Sequence, residues 1–206
     1  MSQTVWNLDR VSLSGRVRPR LDNVTLQIPS GITAVMGCSG AGKSSLLSLL
    51  AGFESSDSGT IEFDAQPSAR VHRDCPPLFW SPQDHGLWPH LTTQEHLTQV
   101  TARPVEPAVD QNWLAVFGLL SVGDSLPVEL SQGERSRLSI ARALASGAPA
   151  LVLDEPLVHV DPVHLADYWQ AIERHSHALP ASIVFSTHDP HTVLRYAQRV
   201  ICLDAG

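Results

Sequence analysis

The sequence predicts an α/β fold: a mostly parallel sheet, an antiparallel β part at the N-terminus and an α-helical subdomain inserted between the two halves of the core. Three observations carry this expectation. Strand-length apolar runs at 32–36, 150–153 and 182–185 alternate with helical stretches, and such alternation builds parallel sheets because a helix returns the chain to start the next strand. Residues 5–13 and 23–28 precede that rhythm and read as strands, with Val24, Leu26 and Ile28 alternating with polar neighbours at period two. Between 85 and 146 the strand signals give way to apolar residues at helical spacing.

Taken in order, 5–13 and 23–28 are joined by a turn at 16–20 that holds Pro19 and the cluster Arg16, Arg18 and Arg20. A solvated turn is the preferred reading of those arginines, with contact to a base or phosphate the alternative. Strand 32–36 is followed by a glycine-rich run and a helical stretch at 45–51. Residues 55–59 form a turn cluster, 60–63 a short strand, and 64–77, interrupted by Pro67, Pro76 and Pro77, a loop. A strand at 78–80 ends at Ser81-Pro82-Gln83. Helices are expected at 93–100 and 112–119, with a Pro-containing link at 103–108. A further helix is expected at 133–145, where Leu138, Ala141, Arg142 and Leu144 are spaced to give one buried and one polar face. Strand 150–153, helix 162–177, strand 182–185, helix 190–197 and the run 199–203 complete the chain. We expect one chain-long domain, 1–84 and 147–206 forming the α/β core and 85–146 the helical part.

The glycine-rich run is Gly37-Cys38-Ser39-Gly40-Ala41-Gly42-Lys43-Ser44, which fills every fixed place of the pattern G-x-x-x-x-G-K-[ST] between a strand and a helix. It reads as a phosphate-binding loop. Its glycines let successive N–H groups curl inward toward phosphate oxygens, with the positive end of the next helix dipole behind them. Lys43 is placed to reach β- and γ-phosphates, and the Ser44 hydroxyl to meet Mg²⁺. Ala150-Leu151-Val152-Leu153-Asp154-Glu155 delivers two carboxylates at the C-terminal end of an apolar strand, where open α/β sheets bind ligands. With a phosphate loop in the same chain, Asp154 reads as a Mg²⁺ holder and Glu155 as the group that orients and polarises an attacking water.

Composition is consistent with a soluble nucleotide-binding protein. A chain of 206 residues with 43% apolar content can bury a sizeable core. The formal net charge of −7 argues against a general nucleic-acid surface, which needs a basic face, but not against ATP, whose charge is met locally. Residues 1–30 carry Asp9, Arg10, Arg16, Arg18 and Arg20 without the apolar run of a signal peptide, and no stretch approaches the roughly 20 apolar residues of a membrane span. A cytoplasmic protein is expected. Cys38, Cys75 and Cys202 are an odd, scattered set and read as free thiols. Among ten histidines, the pairs His175 with His177 and His188 with His191 lack zinc-site spacing and supporting ligands, and read as solvated helix positions, His188 excepted.

The chain resembles the nucleotide-binding subunit of ABC transporters. Leu130-Ser131-Gln132-Gly133-Glu134 is similar to that family's signature, Leu-Ser-Gly-Gly-Gln, and the following 135–144 is a typical continuation. Gln83 falls where the family has its Q-loop glutamine, and Leu87-Trp88-Pro89-His90-Leu91-Thr92 resembles the usual sequel. Asp161 matches the D-loop aspartate and His188, in Ser186-Thr187-His188-Asp189, the switch histidine. The resemblance implies ATP hydrolysis with Glu155, His188 and Gln83 as catalytic residues, and Mg²⁺ held by Ser44, Gln83 and Asp154. ATP would lie on residues 37–44 and Ser45, with Ser131, Gly133 and Asp161 meeting it from the partner in a head-to-tail dimer. Ser131 and Gly133 precede a helix, whose exposed N–H groups make its positive end an anion site.

It also implies partners: a second ATPase subunit, transmembrane permease subunits docking between the Q-loop and the helical part, and a solute-binding protein, at the inner face of the membrane. The style of the Q-loop resembles importers of small solutes more than exporters; the alternatives are an ABC ATPase of an export, lipoprotein-release or cell-division complex and a non-hydrolysing nucleotide-binding interaction module. Leu87, Trp88 and Pro89 are candidate permease contacts, with core packing the equal alternative. The sequence also departs from the family. The aromatic that usually stacks on adenine maps to Gly15, which predicts weak, base-indifferent binding unless Trp6 or one of the three arginines reaches the base, and predicts tighter binding in a Gly15→Tyr variant. The D-loop has Val158-His159-Val160 for the usual Ser-Ala-Leu, and the signature has Gln132 and Glu134 for glycine and glutamine.

Overall fold

The computed structural model describes residues 3–65, 76–101, 112–179 and 181–204. Most of the expected loop at 64–77, the link at 103–108 and Cys75 lie outside them. Among the described residues there are two sheets. β1 (Thr4–Leu13), β2 (Leu21–Pro29) and β4 (Ser58–Phe63) form an antiparallel sheet in the order β2-β1-β4. β3 (Ile32–Gly37), β5 (Phe79–Ser81), β6 (Ala150–Leu153), β7 (Ser182–Ser186) and β8 (Arg199–Leu203) form a parallel sheet in the order β5-β6-β7-β3-β8. The helices are α1 (Lys43–Leu50), α2 (Thr93–Val100), α3 (Trp113–Val116), α4 (Gln132–Ala145), α5 (Pro162–Ala178) and α6 (Pro190–Tyr196).

The central strands are apolar on both faces because both faces are covered. Ala150 and Val152 on β6, with Val184 and Val35, pack toward α1 and the antiparallel sheet in one core; Leu151, Leu153, Ile183 and Phe185 pack toward α4 and α5 in the other. Trp6 is fully buried in the first core and donates its indole N–H to Leu50 O at 3.1 Å, which ties β1 to the end of α1. It is therefore spent on packing and does not reach a base.

Three expectations change. The stretch 112–119 holds only the short α3, capped by Asn112, whose side-chain oxygen accepts the Ala115 N–H at 3.1 Å. Ser58 and Gly59, read as part of a turn, already belong to β4. The helix at 133–145 does not keep a polar face: every residue of α4 from Leu138 onward is buried, Arg142 included, because this half runs beneath β5 and against α2 and α3. Arg142 donates from Nη1 to Gly86 O at 2.8 Å and lies 4.4 Å from the Trp88 ring, and burial pushes its pKa down to about 10.

His175 corrects the reading of solvated histidines. It is buried edge-on against Trp113, its Nε2 has no hydrogen-bond partner, and burial pushes its pKa down to about 4 from 6.5. Its neighbour His177, like His188 and His191, is exposed. The unfolded chain protonates this imidazole below pH 6.5 while the folded chain resists until near pH 4, so stability is complete above about 6.5 and is lost as the pH falls through that window. We expect this group alone to cost roughly 2 kcal/mol between about pH 7.5 and 5, and His175→Phe to flatten that part of the acid limb. Urea unfolding of both proteins at the two pH values measures it; an equal loss in the variant would assign the acid sensitivity to other groups.

Candidate functional site

The phosphate loop leaves β3 and turns into α1 at Gly42, whose φ of 93° suits glycine and whose α-carbon faces Arg20 O so closely that a Cβ would lie 2.4 Å from it. That contact brings the 14–20 turn onto the loop. Lys43 Nζ donates to Gly37 O at 2.8 Å and to Cys38 O at 3.1 Å, closing the loop on itself. A cavity of about 600 Å³ opens over it, lined by Ser39, Gly40, Gly42, Lys43, Ser44 and Ser45, by Gln83, Glu155 and His188, and by Arg20. Gly37, Cys38 and Ala41, the remaining candidates in the loop, do not line it: Cys38 is exposed and lends the loop its carbonyl, and Ala41 is buried.

Three elements bring the other polar groups together. Gln83 follows β5, Glu155 follows β6, and His188 follows β7, so adjacent parallel strands deliver all three to the same sheet edge. Gln83 Nε2 lies 3.5 Å from Glu155 Oε2, and His188 Nδ1 lies 3.6 Å from Glu155 Oε1. Glu155 adopts a left-handed φ of 49°, a conformation uncommon outside glycine and worth 1 kcal/mol or more on the order-of-magnitude scale of such strain. Its N–H donates to Ser186 Oγ at 2.8 Å, and the same hydroxyl donates to Asp154 Oδ1 at 2.5 Å. Ser186 therefore fixes both carboxylate residues. The sequence reading gave it no role, although the pairing of Leu153 with Phe185 sets it beside Asp154.

Ser131, Gly133 and Asp161 are not among the residues lining this cavity. Ser131 caps α4 in a reciprocal capping box: Glu134 Oε2 accepts the Ser131 N–H at 2.8 Å and the Ser131 hydroxyl at 2.7 Å. Those bonds hold the Glu134 carboxyl below its usual range. A carboxylate thus stands beside the start of α4, bonded to the N–H and hydroxyl of Ser131. Gly133 is required by close approach, since a Cβ there would lie 2.8 Å from His159 O. Asp161 caps α5, accepting the Val163 N–H at 3.0 Å. Leu87 packs against the core, whereas Trp88 and Pro89 are exposed, so the run 87–89 divides between packing and surface.

The arginines of the first turn are not simply solvated. Arg20 forms an ion pair with Glu54, and Arg18 Nη2 approaches Gly40 O at 3.4 Å. Gly15 is where no side chain fits: its Cβ would lie 2.3 Å from Arg18 O and 3.2 Å from Arg20 Cγ. We therefore expect Gly15→Tyr to disturb the turn and weaken nucleotide binding severalfold, with a lowered melting temperature, opposite to the gain anticipated from the sequence. Nucleotide titration and thermal unfolding of the variant decide between the two outcomes.

The candidate donors for a metal are hard oxygens, a set that suits Mg²⁺: the Ser44 hydroxyl and the Gln83 carbonyl belong to residues lining the cavity, whereas Asp154 is buried, does not line it and accepts the Ser186 hydroxyl. Among the described residues, no group of three or more His, Cys, Asp or Glu side chains could hold a metal ion, and no helix is long and apolar enough to cross a membrane.

Residues 21–158 match the family profile described as ABC transporter. The chain is 33% identical over 193 residues to a protein of Chlorella vulgaris described as probable sulfate/thiosulfate import ATP-binding protein CysA, covering 90% of this chain and 81% of that one. It is 34% identical over 207 residues to the molybdenum import ATP-binding protein ModC of Thiobacillus denitrificans, covering 93% of this chain and 57% of that one. It spans little more than half the length of several such relatives. Among solved structures, the dimeric structure of MJ0796, a bacterial ABC transporter cassette, superposes with a TM-score of 0.79 at 25% identity, covering 97% of this chain and 94% of that one.

Proposed function

The chain belongs to the ABC transporter family, and from that premise we propose that it is the ATP-hydrolysing subunit of an importer of a small solute. The observation that carries the reading is the meeting of Gln83, Glu155 and His188 over one cavity with Lys43 and Ser44. Lys43 and the loop N–H groups take the phosphates; Glu155, held by Ser186, orients the attacking water and accepts its proton; His188 faces the γ-phosphate, and Gln83 links β5 to the reacting end. Ser44, Gln83 and Asp154 are the groups that would hold Mg²⁺, which neutralises charge on the β- and γ-phosphates when bound.

Hydrolysis takes place in a head-to-tail dimer of two copies, each cavity closed by the partner's α4 start and 157–161 turn, which bring Ser131, Gly133 and Asp161 to the nucleotide. The close approach of His159 to Gly133 supports this, because it sets those two segments side by side as one surface. ATP favours the closed state through contacts that it makes to both chains, and hydrolysis removes them. Permease subunits receive the motion at the surface formed by Trp88, Pro89 and the 85–146 helical part, which places the protein in the cytoplasm against the inner face of the membrane. Import is supported by relatives named for it; their solutes differ, sulfate or thiosulfate in one and molybdenum in the other, so the solute is set by other subunits.

The test is Mg²⁺-dependent phosphate release from ATP by the purified chain, alone and with its permease subunits. Release in neither condition, with ATP bound, would support a non-hydrolysing interaction module instead.

A further inference from the structure

We propose that Arg20 receives the nucleobase, the flat face of its guanidinium serving as the stacking surface. This rests on the nucleotide reading of the cavity given above. Arg20 lines that cavity together with Ser39, Gly42 and Lys43, yet it is not a cation open to any phosphate. Nη1 and Nη2 donate to the two carboxylate oxygens of Glu54, and Nε donates to Ser14 O at 3.0 Å. All three bonds are made by N–H groups, which lie in the guanidinium plane, while 41% of the side chain stays exposed. The clamp is anchored in turn: Ser48 Oγ on α1 donates to Glu54 Oε2 at 3.2 Å, so the helix that begins at Lys43 also positions the arginine.

A guanidinium whose edge is hydrogen-bonded, on a side chain that is partly exposed and lines the cavity, can offer its flat face to a base, and its delocalised charge adds attraction for the π-system. The other flat side chains of the cavity, Gln83 and His188, are both joined to Glu155 at the reacting end; Arg20 is joined to neither. Arg20 also has room beside it. With Gly40 it borders a second cavity of about 310 Å³ lined by Arg18, Pro19, Leu21 and Asp22, so it stands where the phosphate cavity gives way to a further recess. Glu54 faces that charge, and the hydrogen bond from Arg20 holds its carboxyl below the usual carboxylate range.

The experiment is a titration of wild type, Arg20→Ala and Arg20→Lys with Mg·ATP and with Mg·tripolyphosphate, which has the phosphates and no base. Both variants should bind ATP about tenfold more weakly, the loss of roughly one stacking contact, and tripolyphosphate as the wild type does. Lysine keeps the positive charge and lacks the flat face, so an equal loss in Arg20→Lys separates stacking from charge. Loss of both ligands in Arg20→Ala with recovery in Arg20→Lys would make Arg20 a phosphate cation and overturn the proposal, as would unchanged ATP affinity in the two variants. If Arg20→Ala does not fold by circular dichroism, Arg20→Lys decides alone. A wild type that binds neither ligand overturns the nucleotide reading itself.

Discussion

Glu155→Gln should lower the rate of phosphate release by a factor of about 100 to 10,000, the range over which a positioned general base contributes, while leaving ATP affinity nearly unchanged. The reasoning is local. The side chain sits 3.5 Å from Gln83 and 3.6 Å from His188, and its backbone is pinned by Ser186 in a left-handed conformation that the amide shares equally well. Glutamine thus keeps the shape and the two neighbours and loses only the charge that accepts a proton. Because the phosphates are held elsewhere, on residues 39–45, binding persists and hydrolysis does not. An ATP-dependent dimer should then accumulate, visible as a doubling of mass by light scattering. Turnover within threefold of wild type would remove Glu155 from the proposed role, and a variant that stays monomeric with ATP at high protein concentration would leave closure dependent on the permease subunits.

Lys43→Ala should weaken ATP binding about a hundredfold. One or two charge-assisted hydrogen bonds to phosphate oxygens, each worth roughly 1.5 to 3 kcal/mol, disappear with the ammonium group. The same ammonium group ties Gly37 O and Cys38 O together, so the loop loses its internal staple as well as its cation. The fold should survive, since neither of those bonds is fully buried and the α1 residues that form the core, Leu46, Leu47, Leu49 and Leu50, are untouched. Titration with a fluorescent ATP analogue beside a melting curve checks both halves of the expectation. Affinity within threefold of wild type would place the phosphates away from this loop.

Much of the architecture was legible in the chain because each element carried its own local signal. Val24, Leu26 and Ile28 alternate, the central strands are mostly apolar runs, and Thr92 with Glu95 makes a capping box whose reciprocal bonds of 3.2 and 2.8 Å start α2 at the expected residue. Even the weaker signals failed in an informative way. Leu138, Ala141, Arg142 and Leu144 do form a stripe, but the residues between them are buried too, since burial on the second side is imposed by β5, α2 and α3, which lie far away in sequence. His175 looked like any polar residue on a helix until Trp113, some sixty positions earlier, covered it.

The candidate site divides along the same line. Gly37 to Ser44, Asp154 and Glu155 announce themselves in the chain, because curling the backbone around phosphate and ending a strand on acids are tasks for neighbouring residues, done by contiguous stretches. Ser186, Arg20 and Glu54 do not. Their roles arise from register and from the packing of the first turn against α1: Ser186 reaches Asp154 only because β7 lies beside β6, and Arg20 meets Glu54 across 34 residues. Gly15 is the clearest case. From the letters alone it was an absent ring that could be restored. Space was the missing quantity, and the carbonyl of Arg18, 2.3 Å from any Cβ placed there, occupies it. Local geometry is written in short-range residue types, whereas excluded volume and pairing between distant segments exist only once the two sheets have closed on α1.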